Sequence, residues 1–155
     1  MKTKLLFLFF IFFNLFSLHA QINGNFAWFN KGLIFNLPID CEVIADDSNY
    51  FEAHKKGFTI KLFAFENTDF NEQTQAEATQ KIAKKVRYDK MEKVEFFYLD
   101  NFKCCAIVGA KSNIKVQVMS LLNQKSSLHF TAIIIYIPEM ESEVRELMRS
   151  FWRRK

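Results

Sequence analysis

The chain has 155 residues, 50% of them hydrophobic and 19 of them phenylalanine, and its charged residues leave a net charge of +4 at pH 7. Lys2 and Lys4 carry two of those charges, so the remainder is nearly neutral and gives no electrostatic reason to expect nucleic acid as a partner. Four glycines leave no phosphate-cradling loop, and no pairing of the three cysteines and three histidines has zinc-ligand spacing.

Residues 1–20 have a charged start, an apolar run from Leu5 to Leu18 broken only by Asn14 and Ser17, and a small residue at Ala20. This pattern predicts a signal peptide at 1–20 and a single domain at 21–155, exported to the periplasm or the cell exterior. An uncleaved anchor is the alternative, although the run is shorter than the ~20 apolar residues of a spanning helix. No cysteine directly follows the run, so a lipid anchor is not indicated and membrane contact is expected to be peripheral at most.

Gln21 to Asn30 mixes turn formers with Phe26, Trp28 and Phe29 and reads as a short aromatic arm lying on the domain. Gly32 to Pro38 and Cys41 to Ala45 read as an opening hairpin turned at Pro38-Ile39-Asp40. The polar turn Asp46-Asp47-Ser48-Asn49 lacks the spaced ligands and central glycine of a calcium loop. Tyr50 to His54 and Phe58 to Phe65 follow as strands about Lys55-Lys56-Gly57.

Asp69 to Glu72 has the spacing of a capping box before a helix that runs to Val86, with Ala78, Ile82 and Val86 as its apolar stripe, joined by Thr79 and Ala83. Lys81, Lys84, Lys85 and Arg87 crowd its last turns. They suit the negative end of the helix dipole, and they are also the candidate contact with an anionic surface.

Val94 to Leu99, Phe102 to Ala110 and Ile114 to Leu122 read as an antiparallel meander turned at Asp100-Asn101 and Ser112-Asn113. After the loop Asn123 to Ser126, the run Ser127 to Ile137 is apolar on both faces and is therefore an interior strand that needs cover on each. Pro138 opens a second helix on which Met140, Val144, Leu147, Met148 and Phe151 recur at three- and four-residue spacing. Glu139, Glu141 and Glu143 at its start and Arg149, Arg153, Arg154 and Lys155 at its end match its dipole, so those cations are read as architecture. One helix per face would cover the interior strand. The expected fold class is α+β: a mainly antiparallel sheet of about seven to eight strands with two helices packed on it.

An oxidising compartment permits a disulfide from Cys41 to Cys104 or Cys105, because adjacent strand residues point to opposite faces and only one of the pair can meet Cys41. The bland alternative is three buried free thiols. His54 and His129 are the only histidines after residue 20, and neither lies in a catalytic motif.

The opening GLIFNLPIDCEV, the helix after the fourth strand, the meander and the closing strand-Pro-helix that ends in MRSFW together resemble the PsbP-like or Mog1-like α/β/α sandwich, over nearly all of the chain beyond the leader. Phe35 to Pro38 and Ser150-Phe151 carry the likeness, whereas the glycine-tryptophan common after the opening proline is replaced by Ile39-Asp40-Cys41. The resemblance implies a binding role with varied partners and transfers no functional residue. The function expected is that of a non-enzymatic accessory or partner-binding domain of the bacterial envelope, without cofactor or metal, whose partner is an unknown envelope protein or ligand. The alternative is a small envelope hydrolase or thiol enzyme that uses His54 or His129 with a cysteine or carboxylate.

Overall fold

The computed structural model describes residues 24–154, so the signal-peptide expectation falls outside the described part. In chain order the strands are β1 (Asn25–Trp28), β2 (Leu33–Asn36), β3 (Glu42–Asp46), β4 (Tyr50–Lys55) and β5 (Phe58–Glu66). Helix α1 (Glu72–Val86) follows, then β6 (Lys90–Met91), β7 (Glu95–Leu99), β8 (Phe102–Lys111), β9 (Ile114–Asn123), β10 (Leu128–Tyr136), helix α2 (Glu141–Arg149) and β11 (Trp152–Arg153). An eight-stranded antiparallel sheet runs β3-β4-β5-β10-β9-β8-β6, with β7 also paired to β8, and a three-stranded sheet runs β1-β2-β11. The expected α+β class, a large antiparallel sheet with two helices, is what is observed.

The opening hairpin is not formed. β2 pairs with β1 on one side and β11 on the other, while β3 pairs with β4, so Pro38 to Asp40 carries the chain from one sheet to the other. Burial decides this. Trp28, Leu33 and Phe35 are fully buried, and Phe35 lies against Phe26, Phe51 and Phe151, with ring centroids 5.3 to 5.5 Å from its own. The aromatic arm is thus a strand, and its tryptophan is core. The small sheet and α2 together cover one face of the large sheet over Phe51, Ile60, Leu62, Phe130, Ala132 and Ile134.

Helix α1 lies on the other face, over β8 and β9. Its cap is displaced by two residues from the expected one: Asn71 Oδ1 accepts from the Gln73 and Thr74 amides, and Thr74 Oγ1 accepts from the Asn71 amide at 2.8 Å. Asp69 does not cap the helix; its amide donates to Asn67 Oδ1 in a preceding turn. The buried stripe is Gln75, Thr79 and Ala83, flanked by partly buried Ile82 and Val86. This helix docks largely by hydrogen bonds. Gln75 Nε2 donates to the carbonyls of Lys103 (2.8 Å) and Ser120 (3.0 Å), and the Thr79 and Ser120 hydroxyls are 2.6 Å apart.

The expectation that one helix would cover each face of β10 is met only in part. On the α1 side Ile133 and Ile135 stay half-buried, because α1 sits over the neighbouring strands. The second helix is also shorter than expected. It ends at Arg149, and Arg153 and Arg154 lie beyond it, on and after β11, out of reach of its dipole.

Just past α1, Tyr88 lies over Gly109 of β8, where an added Cβ would come within 2.4 Å of the Tyr88 ring, and its hydroxyl donates to the Val116 carbonyl at 3.1 Å. Gly109→Ala is therefore expected to lower stability by about 1–3 kcal/mol. Urea unfolding should show that cost shrinking in a Tyr88→Leu background; an equal cost in both backgrounds would refute the contact.

Candidate functional site

The histidines and thiols named from the sequence are not brought together. His54 pairs with Thr59 and His129 with Phe65, positions on β5 that lie roughly 20 Å apart at about 3.4 Å per residue. His129 and Cys105 share the α1 face, but two strand spacings and two residues separate them, roughly 12 Å at about 4.8 Å per spacing. Both His129 nitrogens are engaged. Nδ1 accepts from the Asn123 amide (3.1 Å) and Nε2 donates to the Asn67 carbonyl (2.9 Å), with the ring packed among Phe65 and Phe70. Burial lowers its pKa below the ordinary 6.5, partly offset by the Asn67 bond. His54 is exposed and faces Glu42 at 3.7 Å on the rim of the sheet.

The bridge allowed from Cys41 to Cys104 or Cys105 is not formed, and all three thiols are free. Cys41 directly precedes β3 at one edge, and β4, β5, β10 and β9 stand between β3 and β8. That is roughly 24 Å of lateral spacing, where a disulfide needs Cα atoms within about 7 Å. Burial pushes the Cys104 thiol up to about 12 and the Cys41 thiol up to about 11, and it raises Cys105 as well, so none is activated as a nucleophile.

Lys81, Lys84, Lys85 and Arg87 are all exposed at the C-terminal end of α1, where Lys111 Nζ caps the Val86 carbonyl at 2.9 Å. Arg87 takes a left-handed backbone as the C-cap. None of these four cations has an ion-pair partner among the described residues.

A second feature was not singled out from the sequence. β6 and β7 lie end to end along the outer edge of β8, β6 opposite Gly109 and Ala110 and β7 opposite Phe102 to Ala106, and no other described strand pairs with β7. The opposite edge, β3, exposes Val43 and Ile44 but is guarded by Glu42, Asp46 and a bulge between Val43 and Ala45. β7 reads EFFYL; its one charge is Glu95 at its first position, and Phe96 to Leu99 have no charge, proline or bulge to guard the open edge. Phe96 and Tyr98 stand 51% and 64% exposed on one face, above the Lys103 ammonium at 5.9 and 5.6 Å, and that ammonium is ion-paired with Glu72. Phe97 and Leu99 point the other way, into a groove of about 840 Å³ between β7 and α2 that Val144 and Met148 also line.

The groove is electrically polarised. Glu92 and Glu95 stand at the end nearer the β8–β9 turn, beside Glu141, which Lys115 pairs at 2.6 Å, and Arg145 and Arg149 follow along α2 toward Leu99. A signal for this site was present in the sequence, since a strand apolar on both faces must be either interior or covered by something else. It was hidden because which strand becomes the edge depends on the pairing of the whole sheet.

No protein-family model matches the chain, and no curated protein matches it either. Solved structures do. A PsbP from Synechocystis (CyanoP) superposes with a TM-score of 0.61 at 9% identity, covering 88% of this chain and 96% of that one. The Ran-binding protein Mog1p of Saccharomyces cerevisiae gives 0.56 at 8% identity, covering 86% and 96%. The fold is PsbP/Mog1-like. A crystal structure from Bacteroides thetaiotaomicron also matches, with a TM-score of 0.56 at 11% identity over 87% of this chain, which spans only 50% of the length of that one. At such identities the likeness shows the PsbP/Mog1-like fold and nothing of the activity.

Two outcomes follow from these environments. Without reductant, three thiols should titrate in denaturant, with Cys104 and Cys105 protected in the native protein; fewer than three would indicate a bridge. Because the folded-state pKa of His129 is depressed, its contribution to stability is complete above about pH 6.5 and is lost as pH falls through the folded value. His129→Gln should flatten that part of the urea-midpoint profile between pH 7.5 and 5.

Proposed function

We propose that the protein is an exported, non-enzymatic accessory domain of the bacterial envelope that holds a protein partner by taking an extended segment of it along β7. The observation that carries this reading is the open, uncharged edge of β7 from Phe96 to Leu99 beside the polarised groove. An added strand would complete the hydrogen bonds of the edge, while its alternate side chains would enter the groove, which is the physical basis of recognition by strand addition. Charge fixes the polarity of the occupant: a cation belongs against Glu92 and Glu95, since Glu141 is already paired with Lys115, and an anion against Arg145 and Arg149. Export is supported by the leader-like residues 1–20. The dispersal of His54, His129 and the three thiols supports a role other than nucleophilic catalysis. Among the structural neighbours, Mog1p is described as a Ran-binding protein, which is consistent with this fold serving protein recognition.

A photo-crosslinking residue in place of Tyr98 should capture a discrete partner in intact cells, and the same residue at Val43 should not. Arg145→Glu with Arg149→Glu should reduce capture at least tenfold without unfolding the domain. Equal capture at both edges, or no discrete adduct at Tyr98, would overturn the reading.

A second reading rests on the unpaired cations Lys81, Lys84, Lys85 and Arg87, which would bring the domain against an anionic envelope surface as a peripheral contact. Sedimentation with phosphatidylglycerol vesicles should then weaken steeply between 50 and about 300 mM salt. Binding that ignores salt, or no binding at 50 mM, would count against it.

A further inference from the structure

Of the arginines that the helix dipole was expected to explain, Arg149 sits on the helix and Arg153 and Arg154 do not. Arg153 belongs to β11, which pairs with β2, and the Arg154 amide donates to the Gly32 carbonyl at 2.9 Å, so both are fixed by the small sheet. There they meet the turn between β7 and β8 and the loop between β9 and β10 around a pocket of about 270 Å³. Its lining is Asn101, Asn123, Lys125, Ser126, Arg153 and Arg154. Lys125, Arg153 and Arg154 make no ion pair among the described residues. The one carboxylate that the hydrogen bonds place against this wall is Asp100, held by Asn101 Nδ2 at 2.6 Å. Three cations and one carboxylate leave the pocket with a local excess of two positive charges.

Ser126 fixes one of these cations. Its Oγ accepts from Arg153 Nη1 (2.8 Å) and Asn123 Nδ2 (2.9 Å), with a longer contact from the Leu128 amide (3.3 Å), so the hydroxyl holds the Arg153 guanidinium at the pocket. The walls are pre-set, since the side chains of Asn101 and Asn123 are nine-tenths buried and Asn123 Oδ1 holds the Lys125 amide at 2.9 Å. The pocket is therefore bordered by two arginines and a lysine, whose excess charge a dianion would neutralise.

We infer that this pocket binds a phosphomonoester group, with Arg153, Arg154 and Lys125 supplying the charge and Ser126 positioning the Arg153 guanidinium. A carboxylate would leave half the excess charge unmatched, whereas a phosphomonoester carries about −1.5 to −2 near pH 7 and accepts guanidinium bonds two at a time. The volume suits a phosphate group with the first few atoms of its carrier. The proposal is independent of strand addition at β7, which lies on the far side of the Asp100 turn and uses none of these residues.

The test is a titration of the ¹⁵N-labelled full domain with inorganic phosphate and with glycerol 1-phosphate at constant ionic strength, with chloride as the control. Saturable shifts should be confined to the side-chain amides of Asn101 and Asn123, the neighbourhood of Ser126 and the two guanidinium groups. Lys125→Gln with Arg154→Gln should weaken binding at least tenfold and Ser126→Ala several-fold, each with an otherwise unchanged amide spectrum. Lys81→Gln with Lys84→Gln and Lys85→Gln should leave it unaltered. Binding of the ester should weaken as pH falls below about 6, where the second phosphate proton returns. Vesicles containing phosphatidic acid distinguish the sources: retention that glycerol 1-phosphate competes away identifies a lipid headgroup, and binding of the soluble ester without retention identifies a free phosphorylated compound. Non-saturating shifts, shifts spread over every basic group, or binding indifferent to the pocket variants would overturn the proposal.

Discussion

Phe35 touches Phe26, Phe51 and Phe151, and the four rings come from four different parts of the chain: β2, β1, β4 and the segment after α2. Strands of four, four and two residues cannot form a stable sheet alone. Burial of these rings, together with Trp28 against Phe51 and Phe130, holds the small sheet on the large one. Everything at that side of the molecule follows from the contact. Without it β11 has no partner, the arginines after α2 have no fixed position, and one face of β5 and β10 loses its cover.

The two faces of the large sheet are treated differently. The face under the small sheet and α2 is apolar and closed. The face under α1 is closed only over β8 and β9, by a helix whose buried contacts are an amide, a hydroxyl and an alanine. Over β4 and β5 it carries Glu52 hydrogen-bonded by Tyr50 and paired with Lys61 at 3.3 Å, a satisfied polar surface that suits water. Ile133 and Ile135 are half-buried beside it, which is why a strand that looked fully interior from its composition is interior on one side and marginal on the other.

Much of the large sheet was legible because its signals are local. Asp100-Asn101 and Ser112-Asn113 announce tight turns, and in the structure Asp100 and Ser112 adopt the positive φ that such turns require. The run Ser127 to Ile137, the proline after it and the apolar spacing of α2 could likewise be read from a few neighbouring residues. What was not legible depends on distant partners. Nothing near Phe35 says that β2 will pair with a two-residue strand at the other end of the chain instead of with Cys41 to Ala45. The cap of α1 was misplaced because Asp69 and Asn71 are both good acceptors, and Thr74, which closes the reciprocal bond on Asn71, decides between them. The two candidate binding regions were hidden for the same reason: Tyr98 becomes an edge residue, and Arg154 a pocket residue, only once the sheets are assembled.

The order β1-β2-β11 has a mechanical meaning. β1 and β11 run in the same direction on either side of β2, with Asn25 opposite Asn36 and Arg153 opposite Leu33. A pull between the segment entering β1 and the segment leaving β11 draws those outer strands along β2 in opposite senses. The ladder bonds are then loaded together in shear instead of being unzipped one after another. A domain tethered from one flank and carrying a load on the other would meet that tension with its small sheet, the part that the aromatic rings fasten to the rest.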